Sequence, residues 1–227
     1  MSNGRRDFLG RLAASAALAG GVAGASPGRL RAESGPRAVS DKWDMSWIDR
    51  INGKFRGVFD SPKIEDGGQI FRAAIWQSQV TEVYGVKDAD VNSVLVIRHG
   101  GIPLAMDDAF WERHQIGKKR KMKDPWTGKT AVANPIRSYQ GKPDVPPSMA
   151  GTSLEGYMAK GGIVLACNFA FGLMVHLESE LTKETDRDAV RTRLLSNLVP
   201  GIILQPSGFF ALLEAQRAGC HLFAAGE

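Results

Sequence analysis

The stretch of sequence that decides the fold runs from residue 163 to residue 181 and reads IVLACNFAFGLMVHLESEL. Its first part, 163–167, is a short apolar run and predicts a buried strand. The part that follows, 169–181, is long and apolar and predicts a helix. Cys167 and Asn168 lie at the junction between the two. A strand that leads directly into a helix is the unit from which parallel α/β sheets are built.

The same alternation of a short apolar run, a turn and an amphipathic run extends over the chain from residue 69 onward. It predicts an α/β fold with a small, doubly wound and mostly parallel sheet. Residues 1–25 are expected to be an export signal, 26–68 a linker and N-terminal extension, and 69–227 the folded domain. The five predicted strands are 69–76, 93–99, 163–167, 201–205 and 220–223.

The amino-acid composition, the cysteines and the histidines limit the kinds of protein that this chain can form. The chain has 227 residues, 43% of them hydrophobic and 23% charged, which fits one globular domain after removal of a signal. Its two cysteines, Cys167 and Cys220, are too few for a disulfide scaffold and are not spaced as a Cys-x-x-Cys pair. We expect no bridge between them, because one ends a strand and the other begins one. The four histidines show no metal-ligand spacing, so neither a metal site nor a cofactor is predicted.

The N-terminus has the features of a twin-arginine export signal. Arg5 and Arg6 are followed by Asp-Phe-Leu, then by a moderately apolar segment at 12–25 that ends in Ala-Gly-Ala. Signals of this kind direct proteins that fold before they cross the membrane. The expected location is therefore the bacterial periplasm.

Ligands of an open parallel sheet bind outside the carboxyl ends of its strands. Three predicted strands end in segments that suit such a site, because glycines admit close contact and helix N-termini offer free N–H groups. The candidate lining residues are His99, Gly100, Asn168, Ser207 and Gly208.

Cys167 is the candidate reactive residue of that site. A thiol in the first turn of a helix has its thiolate stabilised by the helix dipole. The alternative is that Cys167 is a small buried hydrophobic residue without chemistry. His99 is expected to act as a proton partner or hydrogen-bond donor if its strand lies next to the strand of Cys167.

Four segments resemble the DsrE/DsrF-like family, and the likeness covers about residues 69–223. They are 93–100 (SVLVIRHG), 161–168 (GGIVLACN), 199–208 (VPGIILQPSG) and 212–221 (LLEAQRAGCH). The resemblance implies a small doubly wound α/β fold and assembly as a homotrimer or a hexamer. It also implies a sulfur relay in which the cysteine after the third strand carries a persulfide, and Cys167 matches that position.

A basic insert at about 113–151 separates the second and third predicted strands. Nine lysine or arginine residues and a single acid, Asp124, fall between residues 113 and 143. Its densest part is Lys118, Lys119, Arg120, Lys121 and Lys123. An exported protein is not expected to bind nucleic acid, so the predicted partner is an acidic protein or an anionic membrane surface. The alternative is a solvated loop that keeps the protein soluble.

These observations support three functional hypotheses. The first is an exported persulfide carrier or sulfurtransferase that acts through Cys167. The second is a non-enzymatic oligomeric binding or accessory subunit that docks through its basic insert. The third is a carrier of a small ligand or of haem, with Met106, Met174 and His176 as candidate ligands.

Overall fold

A computed structural model describes residues 42–64 and 67–224. Five strands form one sheet in the order β4-β3-β2-β1-β5, and every neighbouring pair is parallel. The predicted doubly wound α/β fold is thereby confirmed. The residues of the expected export signal, Arg5 and Arg6 included, lie outside the described residues. The strands are β1 Phe55–Ser61, β2 Val91–Ile97, β3 Ile163–Cys167, β4 Ile203–Gln205 and β5 His221–Phe223.

Helices cover both faces of this sheet. Their distribution is uneven, because α1 to α6 lie on one face and α7 lies on the other. None of the described helices is both long enough and apolar enough to cross a membrane. The helices are α1 Gly68–Tyr84, α2 Asp108–His114, α3 Ile116–Lys119, α4 Leu154–Ala159, α5 Asn168–Thr182, α6 Arg187–Leu195 and α7 Gly208–Arg217.

The two cores follow from the alternation of side chains along each strand. In β2, Leu95 and Ile97 point into the larger core beneath α1 to α6, whereas Val94 and Val96 point into the smaller core beneath α7. All seven residues of β2 are buried. A central strand covered on both faces therefore has the continuous apolar sequence that predicted it.

The predicted strand at 69–76 is wrong. This segment forms the first half of α1, and its buried positions are Gln69, Ile70, Ala73, Ala74, Gln77 and Val80. Spacings of three and four residues place these side chains on one face of a helix. The run IFRAAIW had the length of a strand but the period of a helix.

The first strand lies instead in the segment that was expected to be a linker and extension. β1, at Phe55–Ser61, pairs with β2 over seven residues and with β5 on its other side. Trp47 precedes it and is fully buried in the smaller core. The sheet domain therefore begins well before residue 69, and the boundary at 68/69 is corrected.

The basic insert packs against the domain. The buried Asn134 side chain donates to the backbone carbonyls of Leu104 and Met106, at 2.9 and 2.7 Å. Arg137 forms ion pairs with Asp108 and Glu155, at 2.9 and 2.8 Å. Since these bonds join the insert to residues on both sides of it, its position is fixed although it contains little regular structure.

Candidate functional site

A cavity of about 420 Å³ opens at the carboxyl ends of β2, β3 and β4. The connection after β3 runs to the six-helix face, whereas the connection after β4 runs to the face of α7. Adjacent strands whose connections leave in opposite directions create a crevice, and this is where open α/β sheets bind ligands. The cavity is lined by Arg98, His99, Gly100, Ile102, Pro103, Arg120, Cys167, Phe169, Ala170, Leu173, Met174, His176, Leu177, Ser207, Gly208 and Phe209.

Cys167 occupies the N-cap position of α5. Its Sγ accepts a hydrogen bond from the backbone N–H of Ala170, at 3.4 Å. The Ala170 N–H belongs to a helix N-terminus, which carries free N–H groups and a partial positive charge. The side chain is 4% exposed, so a reagent reaches it through the cavity.

Arg98 is held at the cavity by a partly buried ion pair. Its Nε and Nη2 donate to the two oxygens of Asp60, both at 2.7 Å. The guanidinium also lies over the ring of Phe209, with 4.7 Å between the guanidinium carbon and the ring centroid. A bidentate pair fixes both position and orientation, so Arg98 is a rigid part of the wall whose charge Asp60 neutralises.

His99 has a backbone φ of +49°. A non-glycine residue rarely adopts this left-handed conformation, and here it turns the ring toward Phe209, with ring centroids 5.7 Å apart. Nη1 of Arg98 lies 3.2 Å from Nδ1 of His99. Since a guanidinium only donates, Nδ1 accepts, and a neutral His99 ring carries its proton on Nε2. β2 does neighbour β3, so the condition for a role of His99 beside Cys167 is met.

The turn after β4 forms the opposite wall. Ser207 caps α7, because its Oγ accepts from the backbone N–H of Phe210, at 3.1 Å. A Cβ on Gly208 would lie 2.6 Å from Cβ and from Cδ of Arg98. The absence of a side chain at this position is what lets the wall approach the Arg98–Asp60 pair.

Further polar groups come from the basic insert and from α5. Arg120 is exposed and has no ion-pair partner among the described residues. His176 lies on α5, and Nη2 of Arg187 donates to its Nδ1 at 3.1 Å. The same argument as for His99 then puts the proton of a neutral His176 ring on Nε2. The cavity thus combines apolar walls with N–H donors and a free guanidinium.

A second, smaller cavity of about 220 Å³ shares Pro103, Arg120, Met174 and Leu177 with the first. His114 lines it, and the Nε2 of that ring lies 2.6 Å from Oε2 of the fully buried Glu178. Burial lowers the pKa of His114, while the hydrogen bond and charge of Glu178 oppose that shift. Arg113 donates to the other oxygen of Glu178, at 2.7 Å, and so balances its charge.

The structure brings five of the predicted pocket residues together around the main cavity: His99, Gly100, Cys167, Ser207 and Gly208. Asn168 does not line it, because its side-chain oxygen accepts a short hydrogen bond from Arg191 of α6. That prediction is corrected. A residue at the first position of a helix can turn to either side, and the sequence did not show that α6 supplies a donor.

The predicted partner-binding residues divide into two groups. Lys118, Lys119, Lys121 and Lys123 are exposed and do not line the main cavity, whereas Arg120 does. The candidate haem ligands divide as well. Met174 and His176 line the cavity, but Met106 is fully buried and lies outside its lining. Among the described residues, no group of three or more His, Cys, Asp or Glu side chains is placed to hold a metal ion.

Sequence reasoning missed the residues that shape the floor and the mouth of the cavity. Asp60 went unnoticed because its strand had been assigned to the extension. Arg98 was not identified either, although it directly precedes His99 in the sequence. The apolar side chains on the outer side of α5, Phe169, Leu173 and Leu177, repeat every four residues. This spacing could have shown that α5 presents an exposed apolar stripe.

The second cysteine has different surroundings. Cys220 precedes β5 and is buried in the smaller core beneath α7. Burial raises the pKa of its thiol to about 11, and the nearby charge of Arg56 opposes this only in part. Both cysteines are free, as expected.

Comparisons of the chain with known protein families, with curated proteins and with solved structures found no match.

Proposed function

We propose that the protein is an exported sulfur carrier of the DsrE/DsrF-like type that holds a persulfide on Cys167. The single observation that carries the proposal is the position of this thiol. Its Sγ accepts from the N–H of Ala170 at the start of a 15-residue helix and lines a cavity at the topological switch point of the sheet. A helix N–H bonded to the sulfur and access through a cavity are the two features that support a reactive rather than a structural cysteine.

The proposed reaction transfers one sulfur atom in two displacements. The Cys167 thiolate attacks a sulfane sulfur of the donor, the donor's S–S bond breaks, and the donor fragment leaves with the electron pair of that bond. The product is a persulfide on Cys167. An acceptor thiolate then attacks the outer sulfur, and the Cys167 thiolate leaves. No net oxidation occurs in either step.

The surrounding groups fit this chemistry. The terminal sulfur of a persulfide is anionic near neutral pH, and the N–H donors of His99, His176 and the guanidinium of Arg120 line the same cavity as Cys167. The apolar side chains of Ile102, Met174 and Phe209 limit the access of water, which lengthens the life of a reactive intermediate.

Loading with inorganic tetrasulfide tests the proposal. Intact-mass and peptide mass spectrometry should show one added sulfur, about 32 Da, at Cys167, and the adduct should disappear on reduction. Cys220 is an internal control, because it experiences the same donor in the same molecule. A native protein that gains sulfur at neither cysteine, or equally at both, would exclude the sulfur carrier.

Cys167→Ser is the matched variant. The hydroxyl is close to the thiol in size and can accept the same N–H bond from Ala170, so the fold should be kept while loading is lost. Cys220→Ser should load as the wild type does. Far-ultraviolet circular dichroism of both variants checks that loss of loading does not come from unfolding.

A second candidate function is that of an accessory subunit that docks through its basic insert. Its support is the exposure of Lys118, Lys119, Lys121 and Lys123 on one short segment that is fixed to the domain. The proposed partner is an acidic protein or an anionic membrane surface. Retention on vesicles that contain phosphatidylglycerol should be lost when these four lysines are changed to glutamine, and should weaken as salt is raised.

The proposal includes assembly and export. We expect a homo-oligomer, in accordance with the resemblance, and large apolar side chains away from the cavity remain exposed, Val83, Tyr84 and Leu222 among them. Light scattering on the purified protein measures its mass.

For export, Arg5→Lys combined with Arg6→Lys should retain folded protein in the cytoplasm, because the receptor reads the arginine pair. Normal periplasmic yield of this variant would contradict the twin-arginine signal.

A further inference from the structure

We infer that the main cavity binds a single-chain amphiphile with an anionic end, of the class represented by medium-chain carboxylates. This goes beyond the proposed function, because binding of such a ligand requires no reaction at Cys167. The inference rests on the size of the cavity, on the chemistry of its walls and on the charge at its mouth.

Size sets the length of the ligand. The cavity holds about 420 Å³, within the range of small-molecule sites. A methylene group has about the volume of a water molecule, roughly 30 Å³, so a ten-carbon chain of about 300 Å³ fits and a much longer chain would protrude.

The walls favour an apolar chain. Apolar side chains come from three directions: Ile102 and Pro103 after β2, Leu173 and Leu177 on α5, and Phe209 on α7. Phe209 is 62% exposed and Leu173 52% exposed. Apolar surface of this extent around a concave site is stabilised when a ligand removes it from water.

The charge at the mouth favours an anion. Arg120 lines the cavity and has no ion-pair partner among the described residues. The wall residue Arg98 already has its carboxylate in Asp60, and among the described residues that line the cavity there is no carboxylate. His99 and His176, whose Nδ1 atoms accept from arginines, offer Nε2–H groups as further donors. A cationic or neutral amphiphile would leave Arg120 without a counter-charge.

A probe series with one chain and three head groups tests the inference. Calorimetry with decanoate, decanol and decyltrimethylammonium, each below its aggregation threshold, should give the tightest binding for decanoate and the weakest for the cation. Within the carboxylates, each added methylene from hexanoate to decanoate should tighten Kd about threefold to fourfold, as expected for burial of apolar surface.

Two variants separate the head group from the chain. Arg120→Gln should weaken decanoate about tenfold and leave decanol unchanged, because only the charged contact is removed. Leu173→Ser should weaken both probes. Both residues are exposed, so neither change is expected to unfold the protein, and circular dichroism checks this.

The result that would overturn the inference is failure to bind decanoate, or equal binding of the three head groups, or affinity that Leu173→Ser leaves unchanged. In the wild-type protein, decanoate binding without sulfur loading at Cys167 would refute the sulfur carrier alone, and sulfur loading without decanoate binding would refute the amphiphile site alone.

Discussion

One cysteine is buried at each end of the sheet, but the surroundings of the two sulfur atoms differ. Cys167, at the carboxyl end of β3, is 4% exposed, and Cys220, at the amino end of β5, is 6% exposed. Cys167 accepts from a helix N–H and lines a cavity. Cys220 packs among apolar side chains, and its pKa is raised to about 11. Because the two cysteines are buried to a similar degree, the difference in reactivity that we propose must come from the helix N–H and the cavity at Cys167 rather than from burial.

The largest expected effect is a difference in alkylation rate between the two cysteines. Near pH 7.5, a thiol with a pKa of about 11 has roughly 300-fold less thiolate than an ordinary thiol with a pKa of about 8.5. We therefore expect iodoacetamide to modify native Cys167 at least about 100-fold faster than Cys220, as measured by peptide mass spectrometry over time. In denaturant the two rates should converge. Equal rates in the native protein would remove the distinction between the two ends of the sheet.

The next effect concerns the close packing that shapes the cavity end. Gly208→Ala should lower the free energy of unfolding by about 2 kcal/mol, because the new methyl group would overlap the aliphatic part of Arg98, which Asp60 holds in place. Urea unfolding measures the loss.

Gly172→Ala is the matched control for this change. Gly172 lies in the middle of α5, and a Cβ there would meet nothing within 4 Å. Alanine is the better helix former, so this variant should be up to about 1 kcal/mol more stable. A Gly208→Ala protein as stable as the wild type would show that Arg98 moves freely, and the rigid wall would have to be abandoned.

How far the sequence could predict this arrangement depends on whether a signal was local. β3 was predicted with the bounds that the structure shows, Ile163–Cys167, because an apolar run and the helix after it are local patterns. β1 was missed because FRGVFDS contains a glycine and two charged residues, and its strand character comes from pairing with β2 and β5, which are distant in sequence.

In the candidate site, too, residues with a local signal were predicted and residues placed by distant contacts were not. His99, Cys167 and Ser207 were identified because each follows a predicted strand. Asp60 comes to hold Arg98 through the folding of β1, and Arg120 lines the cavity through the folding of the basic insert, so no local pattern marks either of them as part of this site. Asn168 was included by proximity in sequence and excluded by a bond to Arg191, which depends on how α6 packs beside α5.

A smaller expected effect is a pH-dependent loss of stability that originates at Cys220, at the amino end of β5. The pKa of Cys220 is about 11 in the folded protein and about 8.5 in an unfolded chain, so the folded state holds this proton more tightly. Stability from this thiol is fully present below about pH 8.5 and is lost as the pH rises toward 11.

Cys220→Ala isolates this contribution, because Tyr157, whose pKa is also raised by burial, titrates in both proteins. Between pH 8 and pH 10 the wild type should lose about 2 kcal/mol more unfolding free energy than the variant. Identical slopes for wild type and Cys220→Ala would mean that the amino end of the sheet opens to solvent before the thiol ionises.

The smallest effect is expected where charge is most concentrated. Changing Lys118, Lys119, Lys121 and Lys123 to glutamine together should alter the free energy of unfolding by less than about 0.5 kcal/mol, because exposed charges contribute little to folding. The bonds that fix the insert come from other residues, Asn134 and Arg137, and remain in the variant. Urea unfolding at low and at high salt measures the change. Removal of four like charges relieves repulsion, so any small change should be a gain in stability that high salt abolishes. A loss of more than 1 kcal/mol would show that these lysines are part of the fold, and their exposure could then no longer support a docking role.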